Sequence, residues 1–380
     1  MIPRDAGETL KKLSKDYPVL VITGPRQSGK TTLVKSVFSD REYISCENTD
    51  VREMAIADPR GFLNRYRDGA IFDEIQRAPD LLSYMQQIVD EDMRPGMFIW
   101  TGSQQFGLLS GITQSLAGRS ALVRLLPFTL REWYGRNIHA TVDSVLHAGL
   151  YPPVHDRKLD PGLWYSNYIN TYIERDVRQL VNVRDMNTFQ RFIRLCAGRI
   201  GSLVNLSDLA SDCGITHNTA KSWLSILEAS YIIYLLSPFH KNYNKRIIKT
   251  PKLYFYDTGL ACRLLSIQNS DQVNSHPMRG ALFESLVISE FFKSSFNKGL
   301  PGFYYFWRDR SGNEIDLLIE EGGKIRPVEI KSGATLNTDY FKGLRRFASL
   351  AGEIIEPTLI YGGDDSHVHA GVNVSSWREI

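Results

Sequence analysis

Short apolar runs and helical spacings alternate along the first third of the chain. Val19–Thr23 is a β-branched apolar run closed by Gly24, which predicts a buried strand and a turn. Leu33, Val34, Val37 and Phe38 follow at helical spacing and predict a helix over Thr31–Phe38. Ala70–Phe72 reads as a second buried strand, closed by Asp73 and Glu74, and Met97–Thr101 as a third, closed by Gly102 and Ser103. Strands alternating with helices predict an α/β layered domain with a parallel sheet.

Beyond Pro127 the strand signals fade, and residues 140–230 read as mostly helical. Leu206–Cys213 predicts a short helix closed by Gly214, with a second helix opening at a Thr216 or Asn218 cap. Tyr231–Phe239 and Lys252–Tyr256 look like strands around a basic loop. A helix over Ala281–Phe296 precedes strands at Phe303–Trp307, Glu314–Ile319 and Ile325–Ile330. A helix at Phe341–Ala351 and a last strand at Thr358–Gly363 complete the pattern. Pro327 inside its strand implies an edge or a bulge there.

The 380 residues exceed one ordinary core, since domains run to about 150 residues, so two or three are expected. With 43% hydrophobic and 23% charged residues, wholesale disorder is excluded. The net charge of +3 is too mild to announce a nucleic-acid binder, so any basic surface must be local. Cys46, Cys196, Cys213 and Cys262 lie far apart without CxxC spacing, which suits neither a zinc site nor a disulfide scaffold. No apolar stretch approaches the roughly 18 residues of a membrane helix, and the first residues lack a signal-peptide core. The expectation is a cytoplasmic protein without a membrane partner.

Gly24, Pro25, Arg26, Gln27, Ser28, Gly29, Lys30 and Thr31 spell GxxxxGK[ST] between a strand and a helix, and Thr32 follows. Glycines let the backbone wrap phosphates, and the helix N-terminus offers N–H groups to negative charge. Lys30 would reach the β- and γ-phosphates of ATP, and Thr31 would ligate Mg²⁺. Asp73 and Glu74 end a buried strand, where two acids are costly unless they serve a cation or a water. Asp73 would complete the Mg²⁺ shell and Glu74 would polarise the attacking water. Ser103, with Thr101 and Gln104 behind it, is the candidate γ-phosphate sensor, and Arg119 the candidate finger, supplied in cis or by a neighbouring subunit.

The blocks GPRQSGKTTL, FDEIQRAPDL, TGSQQFGLLSGITQSLAGR with LPFTLREW, and YINTYIERDV together resemble a widespread prokaryotic AAA+ ATPase family. They cover roughly the first 180 residues. The resemblance implies an AAA+-type nucleotide domain, a second domain of unknown function, the sensor and finger roles of Ser103 and Arg119, and assembly into a ring of copies.

Residues 203–236 resemble a winged helix-turn-helix, with the second helix in the recognition position. Thr216, His217, Asn218, Lys221 and Ser222 could then face a groove. His240, Lys241, Lys245, Arg246, Lys249 and Lys252, interleaved with Tyr243 and Tyr254, form the densest basic stretch and would contact phosphates from the wing. The same helices also read as a packing module, because Trp223, Leu224 and Leu227 have ordinary core spacing.

Asp316 is followed thirteen residues later by Glu329-Ile330-Lys331. Two adjacent strands would bring Asp316, Glu329 and Lys331 to one sheet edge, with Glu284 completing a three-carboxylate pocket for Mg²⁺ or Mn²⁺. Lys331 would orient or activate water against a phosphodiester. This constellation resembles the PD-(D/E)xK nuclease superfamily, some of whose members only bind DNA or a partner.

The expected organisation is an AAA+ P-loop ATPase core over 1–135, a helical region over 136–200, a winged-helix-like domain over 201–265 and a PD-(D/E)xK-like α/β domain over 266–380. The expected function is ATP hydrolysis coupled to work on duplex or branched DNA. The alternative is an ATP-dependent switch whose C-terminal domain only binds DNA or a protein.

Overall fold

A computed structural model describes residues 2–103, 116–135, 138–173, 186–239, 250–309, 311–351 and 354–380. The chain divides into two compact units. The first comprises Met1–Phe128 with two short returns, Ala229–Tyr231 and Lys293–Pro301. The second comprises Thr129–Glu228, Ile232–Phe292 and Gly302–Ile380. The helical, winged-helix-like and C-terminal segments set apart in the sequence therefore share the second unit.

The first unit is built on a five-stranded parallel sheet. Its strands are β1 (Val19–Thr23), β2 (Glu42–Ser45), β3 (Ala70–Asp73), β4 (Phe98–Gly102) and β5 (Ser120–Arg124), in the order β2-β3-β4-β1-β5. Alternate residues of one strand face opposite layers. Val19, Val21, Phe72, Phe98 and Trp100 join Phe62, Leu82 and Met85 on one face. Leu20, Ile22, Ile71, Ile99 and Val123 join Leu10, Leu33 and Val34 on the other. A sheet covered on both faces explains why β1, β3 and β4 read as continuous apolar runs. The half-exposed β2 and the alternating β5 carried no such signal and were not expected from the sequence.

The second unit holds an eight-stranded sheet, to which it contributes β6 (Ile233–Pro238), β7 (Lys252–Phe255), β8 (Tyr304–Arg308), β9 (Glu314–Glu321), β10 (Lys324–Lys331), β11 (Thr358–Tyr361), β12 (His367–His369) and β13 (Val372–Ser376). The order is β12-β13-β11-β10-β9-β8-β6-β7. The helix Arg279–Asn297, the antiparallel β8–β9–β10 meander, the helix Lys342–Leu350 and β11, parallel to β10, follow one another along the chain. Gly322 and Gly323 both take positive φ in the β9–β10 turn, a conformation that glycine adopts without penalty. β10 is an interior strand, not an edge, and it is regular at Pro327, which pairs with Leu318. The proline is tolerated because the ladder to β11 begins only at Val328.

The helices Leu206–Cys213 and His217–Ala229 precede the β6–β7 hairpin. Asn205 caps the first by accepting from the Ser207 and Asp208 amides, and Gly214 ends it at φ 71°. Thr216 caps the second through the Thr219 amide, at 3.1 Å. The hairpin extends the C-terminal sheet, because Ser237 and Pro238 of β6 pair in parallel with Tyr305 and Phe306 of β8. Among the described residues no helix is long and apolar enough to cross a membrane.

Candidate functional site

β1 delivers the chain into the loop Gly24–Gly29, and the helix Lys30–Val37 starts directly behind it. A Cβ at Gly24 would stand 2.1 Å from the Leu125 carbonyl oxygen, so the backbone leaving β5 packs where only glycine fits. Lys30 is only 5% exposed and donates from Nζ to the Gly24 and Pro25 carbonyls at 2.9 and 2.8 Å. Its ammonium thus lies across the loop that would take the phosphates. The Ser28 hydroxyl is buried without a hydrogen-bond partner, and Arg26 lies 3.8 Å from Glu47. Gln27 adopts φ 65°, one of the strained positions that shape the loop. Arg4, which belongs to no motif, braces the loop from behind by donating to the Ser28 and Leu126 carbonyls at 2.8 and 2.7 Å.

The strand order places β4 between β1 and β3, so the ends of these three strands meet beside the loop. Thr31 Oγ1 donates to both Asp73 oxygens, at 3.0 and 3.2 Å. Tyr43 of β2 donates to Asp73 Oδ2 at 2.6 Å, and Thr101 donates to Oδ1. Burial, reinforced by Asp73, pushes the Tyr43 phenol well above its usual range, so it remains a donor. Glu74 takes a left-handed backbone at φ 53°. Ser103, buried at the end of β4, donates to Glu74 Oε2 at 3.0 Å, and Gln76 donates to the same oxygen. The structure therefore brings Lys30, Thr31, Asp73, Glu74 and Ser103 together. Tyr43 belongs to no motif, and Gln76, although inside the FDEIQRAPDL block, was given no role there. Gln104 lies outside the described residues.

Arg119 falls elsewhere. It immediately precedes β5, whose Ser120 pairs with Val19 at the start of β1, whereas the loop follows Thr23 at its end. The length of a five-residue strand, about 15 Å, separates the two ends. Arg119 instead pairs with Asp90 at 2.9 Å. It does not reach the loop of its own chain.

In the second unit, the β9–β10 ladder runs to Val328 opposite Leu317, which sets Asp316 beside Glu329. Lys331 Nζ lies 2.6 Å from Glu329 and 3.2 Å from Asp316, and the Ile330 amide donates to Asp316 at 2.8 Å. Both acids are 7% exposed, and Glu329 Oε2 is buried without a partner. Glu284 goes a different way. Lys252, at 3.3 Å, and Tyr254 of β7 hold it, and Lys252 also pairs with Glu314. Lys252 was expected among solvated wing cations, but it is 3% exposed and belongs to the carboxylate cluster. Its burial is set by strand pairing and not by local charge density.

The electrostatics follow. Burial, then the charge of Asp316, pushes Glu329 up to about 8 and Glu284 up to about 7. Burial opposes the charge on Lys331, but Asp316 and Glu329 outweigh it and raise the ammonium. Among the described residues no three His, Cys, Asp or Glu side chains are arranged to hold one metal, so the expected three-carboxylate pocket is not formed. Asp316 and Glu329 alone, with the orphaned Oε2, suit the one or two carboxylates through which Mg²⁺ is usually held.

Thr216, His217, Asn218, Lys221 and Ser222 form an exposed face of the helix His217–Ala229, while Ala220, Trp223, Leu224 and Leu227 are buried. Trp223 meets Phe189 and Phe192 edge-on at 5.2 and 5.3 Å. Lys241, Lys245, Arg246 and Lys249 lie outside the described residues.

The loop, the acid pair and the β2-β3-β4-β1-β5 sheet define a P-loop ATPase domain, and residues 16–134 match the AAA domain family. Two domains of unknown function, DUF8612 and DUF4143, match residues 140–271 and 279–379. The chain belongs to one family with the uncharacterized protein Rv2008c of Mycobacterium tuberculosis. The two are 31% identical over 335 residues, which cover 87% of this chain and 74% of that one. The uncharacterized protein Mb2031c of Mycobacterium bovis matches to the same extent. Among solved structures, the Walker-type ATPase PABY2304 of Pyrococcus abyssi is 14% identical with a TM-score of 0.48, covering 70% of this chain and 96% of that one. The AMPPCP-bound DnaA of Aquifex aeolicus is also 14% identical, with a TM-score of 0.30 and coverage of 59% and 85%.

Proposed function

We propose that this ATPase is a cytoplasmic machine that couples Mg²⁺-dependent ATP hydrolysis to work on duplex or branched DNA, using a nuclease-like C-terminal module. At the nucleotide site Thr31 and Asp73 would hold Mg²⁺, which neutralises phosphate charge when bound. Lys30 leaves its two carbonyl partners to meet the β- and γ-phosphates. Glu74, oriented by Ser103 and Gln76, accepts a proton from the attacking water. Arg119 acts in trans, since its place before β5 leaves it for a neighbouring copy in a homo-oligomer.

The observation that supports the DNA reading is the convergence of Asp316, Glu329 and Lys331, side chains on which the PD-(D/E)xK resemblance rests, at one place on adjacent strands β9 and β10. Asp316 and Glu329 would hold Mg²⁺ or Mn²⁺, which stabilises charge on a phosphodiester, and Lys331 orients the water. Lys221, with Lys241, Lys245, Arg246 and Lys249, supplies cations for backbone phosphates. One observation favours the second reading, a switch whose C-terminal module binds without cutting: Lys252 and Tyr254 already engage Glu284, as Lys331 engages Asp316 and Glu329.

ATP turnover and cleavage measured across single-stranded, duplex and junction DNA test the proposal. Expected are DNA-stimulated turnover, a Glu74→Gln variant that retains bound ATP with turnover lowered by about 10²-fold or more, and cutting abolished by Lys331→Ala. Turnover indifferent to every DNA form overturns the DNA reading. DNA-stimulated turnover without cleavage selects the binding-only module.

A further inference from the structure

A cavity of about 190 Å³ opens in the second unit, within the stretch that matches the domain of unknown function at 140–271. It lies among the helix Pro161–Tyr168 with its π-turn Ile169–Ile173, the helix Met186–Ala197 and the helix Thr258–Leu264. Arg194 and Arg263 both line it, together with Ser166, Asn170, Gln190 and Ser266, and no Asp or Glu among the described residues does. Other arginines of this unit are paired: Arg199 with Asp212, Arg279 with Asp143 and Arg378 with Asp364. Among the described residues neither Arg194 nor Arg263 has an acidic partner, so two like charges line one concavity without a counter-charge from those residues. Such an arrangement is unfavourable when empty and is relieved by an anion. The local backbone is also unusual, since Ser266 holds φ 64° and a π-turn carries Asn170 to the rim.

We propose that this cavity is a binding site for a terminal phosphate group on a small carrier. Two guanidinium forks match the oxygens of a phosphate. The amides and hydroxyls add donors, and Ile193 and Leu264 give the carrier an apolar wall. The volume falls below the roughly 300–1,000 Å³ of drug-sized pockets, which fits a phosphate with a short carrier. The site is separate from the phosphate loop and does not depend on the DNA reading.

Titration calorimetry on the full chain carrying Lys30→Ala, which removes the phosphate-loop lysine, tests the site with glycerol phosphate, inorganic phosphate, and a short oligonucleotide with or without a 5′-phosphate. Glycerol phosphate should bind with a Kd in the millimolar range or tighter, and Arg194→Gln or Arg263→Gln should each weaken it about tenfold. Arg194 is exposed, so its replacement leaves folding intact even if Arg263→Gln does not. Inorganic phosphate binding as well as glycerol phosphate would mean that the anion alone is recognised and would overturn the carrier. A preference for the phosphorylated oligonucleotide would overturn the small-molecule assignment in favour of a strand end. Binding unchanged in both arginine variants, or no heat with any probe, removes the site.

Discussion

Two acid clusters in this chain solve the same problem in opposite ways. In the ATPase unit Asp73 is surrounded by hydroxyls from Thr31, Tyr43 and Thr101, neutral donors that steady a carboxylate without cancelling its charge. In the second unit Asp316, Glu329, Glu284 and Glu314 are held by two ammonium groups, Lys331 and Lys252. The first arrangement leaves negative charge available to an incoming cation. The second is offset in part from within, two ammonium groups against four carboxylates, and one oxygen of Glu329 has no partner among the described residues. A motif of acids therefore does not by itself define a metal site, because the neighbours decide how much charge is on offer.

The contrast can be broken experimentally. Lys30→Ala has the largest expected effect, a loss of ATP affinity of about a hundredfold or more by titration, since its ammonium lies across the loop that would take the phosphates. Undiminished affinity would show that the loop is not where ATP binds. Next comes Lys252→Met, which leaves the part-buried Glu284 without its ammonium and Glu314 with Arg308 alone, and should cost about 3 kcal/mol in denaturant melts. Adding Glu284→Gln should recover much of that loss, and failure to recover it would mean that Lys252 matters through packing alone.

A pH series sharpens the same point. The folded-state values of Glu329 and Glu284 are raised to about 8 and 7, so the folded protein holds protons that the unfolded chain has released. Their contribution is full below the ordinary glutamate range near pH 4.5 and is lost as pH rises through about 8. Melting temperature of the second unit should fall across that window, and Glu329→Gln should flatten the fall. A fall of equal size in the variant would clear Glu329 of responsibility. The smallest stability change is expected for Arg119→Ala, under about 1 kcal/mol, because its partner Asp90 is partly exposed. Turnover should nevertheless drop at unchanged ATP affinity, and mixing with Lys30→Ala protein should restore some of it if a neighbour supplies the arginine.

The nucleotide site was legible because its parts are contiguous: eight residues from Gly24 to Thr31, then two acids at the end of an apolar run. Tyr43 was not, since β2 is short and half-exposed and a tyrosine there carries no spacing signal. The position of Arg119 depends on which end of β5 it adjoins, and β5 alternates buried with half-buried residues and left no strand signature. Asp316, Glu329 and Lys331 could be paired from alternation and the Gly322–Gly323 turn. Glu284 could not be assigned correctly, because its partner Lys252 lies 32 residues away on a strand whose neighbours looked like a solvated basic run.

The continuous sheet of the second unit also decides how this protein can be cut into pieces. A fragment beginning at residue 266, where sequence patterns suggest a separate domain, would lose β6 and bare the backbone of β8 at Tyr305 and Phe306. Such an open edge is an invitation to pair with other chains and precipitate. The same fragment would strand Glu284 without Lys252. A piece that keeps this sheet intact must therefore include the hairpin, which covers part of β8 and supplies the missing ammonium.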